Sequence, residues 1–216
     1  MIREIGKQNS AFNTFLAQMR DISVQKDSMR FRRNLERIGE IFAYEISKEL
    51  RYEQVEVQTP LGIASMNLPI DKIVLGVILR AGLPLHQGLL NYFDNAENAF
   101  IAAYRKYGKD NKFTIQFEYV SCPSIDKKVL ILVDPMLATG ASMELAYRAL
   151  LEKGTPLHTH IVAPIVSRDG IDYLQRNMPM KTVTLWVGAI DEELTVKSYI
   201  VPGLGDAGDL AYGEKM

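Results

Sequence analysis

An α/β domain with a mostly parallel sheet is the fold class this sequence predicts, and two patterns predict it. Five runs of strand length, residues 72–79, 99–104, 129–133, 161–166 and 183–187, are apolar almost throughout. A strand with one wet face alternates apolar and polar residues, so uniform runs need cover on both faces. Between the runs lie segments that fit helices, at 84–92, 142–153 and 168–177. Strands buried on both faces and alternating with helices are the rhythm of a parallel sheet flanked by helices. With 216 residues, 47% of them apolar, the chain can bury one large core. No repeat, low-complexity tract or linker rich in Pro, Gly or Ser divides it, so residues 1–216 are read as a single domain.

Before the first run, Leu35, Ile38, Phe42 and Ile46 recur every three or four residues, with Glu36, Arg37, Glu40, Glu45 and Lys48 between them. That spacing predicts an amphipathic helix over 30–50. The locally basic stretch 29–33 is read as its solvated face. Pro60-Leu61-Gly62 then punctuates the chain ahead of the first apolar run. The segment 105–124 breaks the regular pattern: a polar stretch at 107–112 precedes the alternating Phe113, Ile115, Phe117 and Tyr119. It reads as a hairpin projecting from the sheet, of the kind that serves as a lid.

Composition narrows the functions. A formal charge of −1 offers no concentrated cationic surface for nucleic acid or anionic membrane. No apolar run approaches the ~20 residues a membrane helix needs, and MIREIGKQNS carries charge too early for a signal peptide. The single cysteine, Cys122 beside Pro123, forms no disulfide framework and has no base or helix N-terminus to activate it. A cytoplasmic location is expected. His158 and His160 fall on one strand face, but with no third ligand near in sequence they read as a hydrated strand start rather than a metal pair. No role is assigned to His86, and Trp186 and the methionines read as core.

The chemistry concentrates in VLILVDPMLATGASMELA, residues 129–146. In an open parallel sheet, ligands collect at the carboxyl ends of the strands, where Asp134 stands. After it, Ala138, Thr139, Gly140, Ala141 and Ser142 are small enough for a tight turn whose amides converge on an anion at a helix start. The nucleotide-triphosphate P-loop is excluded, because no Lys follows the second Gly. An ionised Asp134 would repel a phosphate, so it suits sugar hydroxyls or a cation. The pattern points to a ribose 5-phosphate; the plain alternative is a strand–turn–helix with Ser142 as N-cap.

Residues 133–142, Val-Asp-Pro-Met-Leu-Ala-Thr-Gly-Ala-Ser, resemble the phosphoribosyl-diphosphate (PRPP) signature of type I phosphoribosyltransferases, and their wording is similar to that of the uracil phosphoribosyltransferase family. Two further segments carry the resemblance. In Ile78-Leu79-Arg80-Ala81-Gly82-Leu83-Pro84, Arg80 matches the family's diphosphate-binding arginine, and Arg105 matches a second. The other segment, residues 199–209, contains a literal G-x-G-x-x-G, yet only eight residues follow Gly208, too few for the helix and distal acid of a dinucleotide fold. It resembles the family's uracil loop, in which backbone groups near Ile200 and from Gly205 to Ala207 pair with the base edge. The resemblance spans about 19–213 and departs from the family at Ala141, where many members have glycine, and most in 106–124.

The resemblance implies a type I phosphoribosyltransferase fold with a small base-binding region at 188–216. It implies transfer of the phosphoribosyl group of PRPP to uracil, giving UMP and diphosphate. Arg80 and Arg105, with Mg²⁺, would neutralise the diphosphate. Asp134 would hold the ribose hydroxyls, residues 138–142 would anchor the 5-phosphate, and Pro135, Met136 and Leu137 would belong to the PRPP-binding segment between them. Asp206 would face PRPP and is the candidate to take the uracil N1 proton. Mg²⁺ would be carried mainly by substrate oxygens and water rather than by direct protein ligands. A non-proline cis peptide in the Leu79 to Ala81 turn, a homodimer or higher homo-oligomer, and the absence of nucleic-acid and membrane partners are also expected. The rival readings are the same chemistry on another base and an RNA-binding regulator on this fold.

Overall fold

Every residue of the run 129–133 is buried, and successive side chains go to opposite sides of the sheet. Val129, Ile131 and Val133 join one apolar cluster, while Leu130 and Leu132 join another. This two-sided burial is the physical reason the run lacks polar positions. The computed structural model describes residues 1–107 and 113–214, with backbone alone over 103–107 and 113–118.

In chain order the elements are β1 (Ile2–Glu4), α1 (Ala11–Arg20), α2 (Ser28–Ser47), β2 (Tyr52–Thr59), β3 (Gly62–Pro69), β4 (Ile73–Leu79), α3 (Leu83–Leu90) and β5 (Glu97–Tyr107). There follow β6 (Phe113–Ser121), β7 (Val129–Val133), β8 (Met136–Leu137), α4 (Ala141–Leu151), β9 (His158–Ser167) and α5 (Arg168–Asn177). The chain ends with β10 (Val183–Asp191), β11 (Glu193–Leu194), β12 (Ile200–Val201) and α6 (Ala207–Tyr212). The main sheet runs β1-β10-β9-β7-β4-β5-β6, with β8 alongside β9; every pairing in it is parallel except β5 with β6.

Helices cover both faces. α1, α2, α3 and α6 contribute Phe12, Leu35, Phe42, Leu85 and Ala211 to the cluster that takes Val129, Ile131 and Val133. α4 and α5 contribute Met143, Tyr147, Leu150 and Leu174 to the other. The order of connections creates the site. From β4 the chain passes to β5 on one side, then returns to β7 on the other side and continues outward through β9 and β10. Between β4 and β7 the winding therefore reverses. The helices after those strands, α3 and α4, pack on opposite faces, so the two connecting loops part and leave a crevice at the strand ends.

The structure also differs from the sequence expectations. Residues 11–20 form α1, anchored by Phe12, Leu16 and Met19. Around Pro60-Leu61-Gly62 the chain makes a separate two-stranded hairpin, β2 with β3, instead of a simple break. The alternating segment at 113–121 is the antiparallel edge strand β6, while the hairpin tip, 108–112, lies outside the described residues. β10 continues through Asp191, beyond the expected run 183–187. His160 is no hydrated strand start: it is 2% exposed in the interior strand β9, and its Nδ1 accepts from Trp186 Nε1–H at 2.9 Å. Desolvation by burial, with His158 beside it, holds its imidazolium down to about 3.

Candidate functional site

β7 ends at Val133, in register with Val77 of β4 and Val162 of β9, so Asp134 emerges at the crevice. Asp134 is half-buried, and its amide donates to Val162 O at 3.1 Å. Its carboxylate Oδ1 accepts from the Met136 amide at 3.5 Å, turning the chain back so that Met136 and Leu137 pair with Ile165 and Val166. Pro135 and Leu137 are buried, and Met136 is half-buried.

Residues 138–140 then curl into α4. The alternative in which Ser142 caps this helix is corrected by the geometry. Gly140 is the N-cap, at φ 78° and ψ −16°, and no side chain caps the helix. Ala141 and Ser142 belong to its first turn, whose amides have no partner within the helix. Thr139 Oγ1 approaches, accepting from the Ala141 amide at 3.5 Å. A Cβ on Gly140 would stand 2.9 Å from Gly170 O, so the positive φ and the packing against α5 both require glycine. The result is a ring of first-turn donors at the positive end of an 11-residue helix, the arrangement that binds a phosphate.

On the other side of the crevice, the Leu79–Arg80 peptide is cis, as expected for that turn. Arg80 reaches the C-terminal segment: its Nη2 donates to Gly213 O at 3.1 Å and lies 3.6 Å from Asp209 Oδ1. Arg80, expected to meet the diphosphate, and the C-terminal segment are thus brought together across more than a hundred residues. Arg105 falls in β5, but its side chain lies outside the described residues.

The C-terminal loop is built on β11 and β12 and contains a cis Val201–Pro202 peptide. Ile200, Leu204 and Ala207 are buried, whereas Gly205, at φ 93°, is exposed. Asp206 has a task that its sequence position does not reveal. Its Oδ1 accepts from the amides of Gly208 at 2.8 Å and Asp209 at 3.0 Å, making it the N-cap of α6.

Four residues absent from the sequence-derived set, Ser167, Asp191, Arg20 and Arg32, hold these loops. Ser167 Oγ donates to Ala138 O and accepts from the Gly170 amide. Asp191, paired with Arg20, accepts from the Gly203 amide at 2.9 Å. The ends of β9 and β10 carry these two anchors, which are register partners. Arg32, expected on a solvated face, donates instead to Ala211 O at 2.6 Å and lies 5.9 Å from the Tyr212 ring centroid.

Other candidates take structural places. Burial raises the Cys122 thiol, and its Sγ donates to Pro123 O. His86 is 5% exposed, and burial lowers its imidazolium. It lines a cleft of about 540 Å³ with Arg32, Glu36, Asn98, Phe100 and Tyr212, which does not include the 138–142 turn or the 200–207 loop. Among the described residues, no group of three or more His, Cys, Asp or Glu gathers to hold a metal ion, and no helix is long and apolar enough to cross a membrane.

A family model described as uracil phosphoribosyltransferase matches residues 7–214. The uracil phosphoribosyltransferase of Porphyromonas gingivalis is 57% identical over 212 residues, 98% of each chain. That of Methanothermobacter thermautotrophicus is 42% identical over 191 residues, 87% of this chain and 85% of the relative. The solved structure of the AQ2163 protein from Aquifex aeolicus aligns over 99% of this chain and 98% of its own, with a TM-score of 0.87 and 31% identity.

Proposed function

The chain belongs to the uracil phosphoribosyltransferase family, and from that premise we propose how its loops divide the work of the transfer. The reaction joins uracil to the ribose 5-phosphate of PRPP and yields UMP and diphosphate. The leaving diphosphate carries charge away from C1 as that carbon becomes oxocarbenium-like. Catalysis therefore rests on neutralising the leaving group and on holding uracil N1 against the opposite face of the sugar.

The supporting observation is the crevice between β4 and β7. It is flanked by Arg80 on one side and by Asp134 with the uncapped first turn of α4 on the other. The amides of residues 138–142 take the 5-phosphate, with the Thr139 and Ser142 hydroxyls as further donors. Arg80 meets the diphosphate, and Arg105 is proposed as the second guanidinium. Asp134 holds the ribose hydroxyls. Mg²⁺ fits this donor set as an ion carried largely on PRPP oxygens, beside Asp134 as the neighbouring carboxylate. When bound, it would neutralise charge on the diphosphate. Backbone groups of Ile200 and of Gly205 to Ala207 present donors and acceptors to the base edge, a fixed pattern that suits uracil and opposes the amino group of cytosine. Asp206 keeps this backbone in place by capping α6.

A homo-oligomer is proposed on a separate observation. The β2–β3 hairpin stands off the main sheet, and its register puts Val55, Val57, Ala64, Met66 and Leu68 on one face. Val57, Met66 and Leu68 are exposed, and a two-stranded hairpin is marginal in water without something to cover its apolar face. A second copy of the chain is the proposed cover.

The test of the central reading is diphosphate release from PRPP with Mg²⁺ and with uracil, cytosine, hypoxanthine or no base. Release with uracil alone is expected. Equal release with hypoxanthine would move the specificity to another base, and no release with any base would end the reading.

A further inference from the structure

Gly203 sits at the bend of the C-terminal loop, and one ion pair takes both of its backbone groups. Arg20, the last residue of α1, donates from Nη1 to Asp191 Oδ2 at 2.8 Å and from Nη2 to Asp191 Oδ1 at 2.9 Å. The same Nη1 donates to Gly203 O at 2.9 Å, and Asp191 Oδ2 accepts from the Gly203 amide at 2.9 Å. The guanidinium thus holds the carbonyl and the carboxylate holds the amide. Gly203 is buried at φ 53°, and a Cβ there would stand 2.1 Å from Ile200 O, so only glycine can close this bend.

Both ends of the clamp rest on firm structure. Phe12, Leu16 and Met19 bury α1, and Gln25 Nε2 donates to the carbonyls of Met19 and Arg20, fixing the helix end. Asp191 is 7% exposed and ends β10 opposite Ser167, which ends β9. Ser167 in turn holds Ala138 O of the phosphate turn. Two neighbouring strand ends therefore grip the backbones of two different loops, and strand spacing sets the separation of those loops. Strands in a sheet lie ~4.8 Å apart with little freedom to vary.

We propose that Arg20 and Asp191 are positioning residues for the nucleobase: their ion pair fixes the 200–207 loop at strand spacing from the phosphate turn, without touching either substrate. The inference rests on the reading of 200–207 as the uracil site. A bidentate guanidinium–carboxylate pair that also holds a peptide unit sets orientation as well as distance. Loss of that orientation weakens capture of the base more than capture of PRPP, whose other contacts come from the 80 and 134–142 segments.

The experiment compares wild type with Arg20→Ala, Arg20→Lys and Asp191→Asn in steady-state kinetics with each substrate varied. In parallel, hydrogen exchange of a peptide covering 200–207 is followed with and without uracil plus diphosphate. Arg20→Ala is expected to raise the KM for uracil about 10-fold, the weight of one charge-assisted hydrogen bond, with kcat and the PRPP KM within about threefold of wild type. Lys keeps a charge but cannot span both carboxylate oxygens and Gly203 O, and Asn keeps an acceptor for the Gly203 amide, so both should fall between wild type and Ala. Asn also keeps the test alive if Arg20→Ala does not fold. An unchanged uracil KM, or equal rises for uracil and PRPP, overturns the clamp where uracil still protects 200–207 in wild type. Absence of that protection in wild type instead overturns the assignment of the loop.

Discussion

Asp206 can be tested as a cap against its expected role as proton acceptor. Both of its short hydrogen bonds use Oδ1, to the amides of Gly208 and Asp209, and they hold the first turn of a six-residue helix. Replacing an N-cap Asp by Ala costs about 1 kcal/mol, whereas Asn caps about as well as Asp. One kcal/mol shifts an ordering equilibrium about fivefold. If capping is its contribution, Asp206→Ala should raise the uracil KM about fivefold with kcat within a few-fold, and Asp206→Asn should resemble wild type. A general base predicts another pattern: both variants would lose about 10²- to 10⁴-fold in kcat, because Asn cannot accept the proton. Initial rates of UMP formation, with uracil varied at saturating PRPP, separate these cases. Our expectation is the capping pattern, and a loss of a hundredfold or more in Asp206→Asn would refute it.

Three other predictions follow from the same geometry. Arg80→Ala should lower kcat/KM for PRPP by about 10- to 100-fold, the range for losing a charged hydrogen-bond donor; an unchanged value would remove Arg80 from the diphosphate site. Met66→Asp, at the centre of the exposed apolar face of the β2–β3 hairpin, should shift the protein toward monomer in sedimentation, and an unchanged mass would exclude that face as the contact. His160 should make stability depend on pH: its folded value of about 3 lies below the ordinary 6.5, so the unfolded chain binds the proton first and stability is lost as pH falls from about 6.5 toward 3. At about 1.4 kcal/mol per pH unit, the loss between pH 7 and 5 is about 2 kcal/mol; His160→Gln, which keeps an acceptor for Trp186, should flatten urea-unfolding stability by that amount, and an unchanged slope would sink the argument.

The parts of the fold that were legible in the sequence are those whose residues answer to a local period. Residues 129–133 and 168–177 are observed at their expected bounds, because uniform burial and a well-capped helix leave local marks. Ser167, for example, caps α5 by accepting from the Gly170 amide. The hairpin at 52–69 was less legible, since its alternation of Val55 and Val57 with Gln54, Glu56 and Gln58 resembles an ordinary surface segment. His160 misled because its surroundings come from strands distant in sequence: β9 lies between β7 and β10, and Trp186 from β10 supplies the hydrogen bond. In the site, the turn around Gly140 could be read because small residues at a strand end have few other uses. Arg20 could not, since its partners lie 171 and 183 residues away and no periodicity connects them.

That difference follows from how the site is built. The groups proposed to face the substrates are largely main-chain amides and carbonyls, and a backbone presents a fixed pattern only when something else fixes its course. In the phosphate turn this falls to Gly140, whose φ of 78° no branched residue would adopt, and to Ser167, which holds Ala138 O. In the C-terminal loop it falls to Gly203, Asp191, Arg20 and the Asp206 cap. Preorganised backbone donors add to catalysis only if they need not rearrange as charge develops. Residues remote from the substrates therefore control transfer through loop shape, and the side chains most visible as a motif are only part of the machinery.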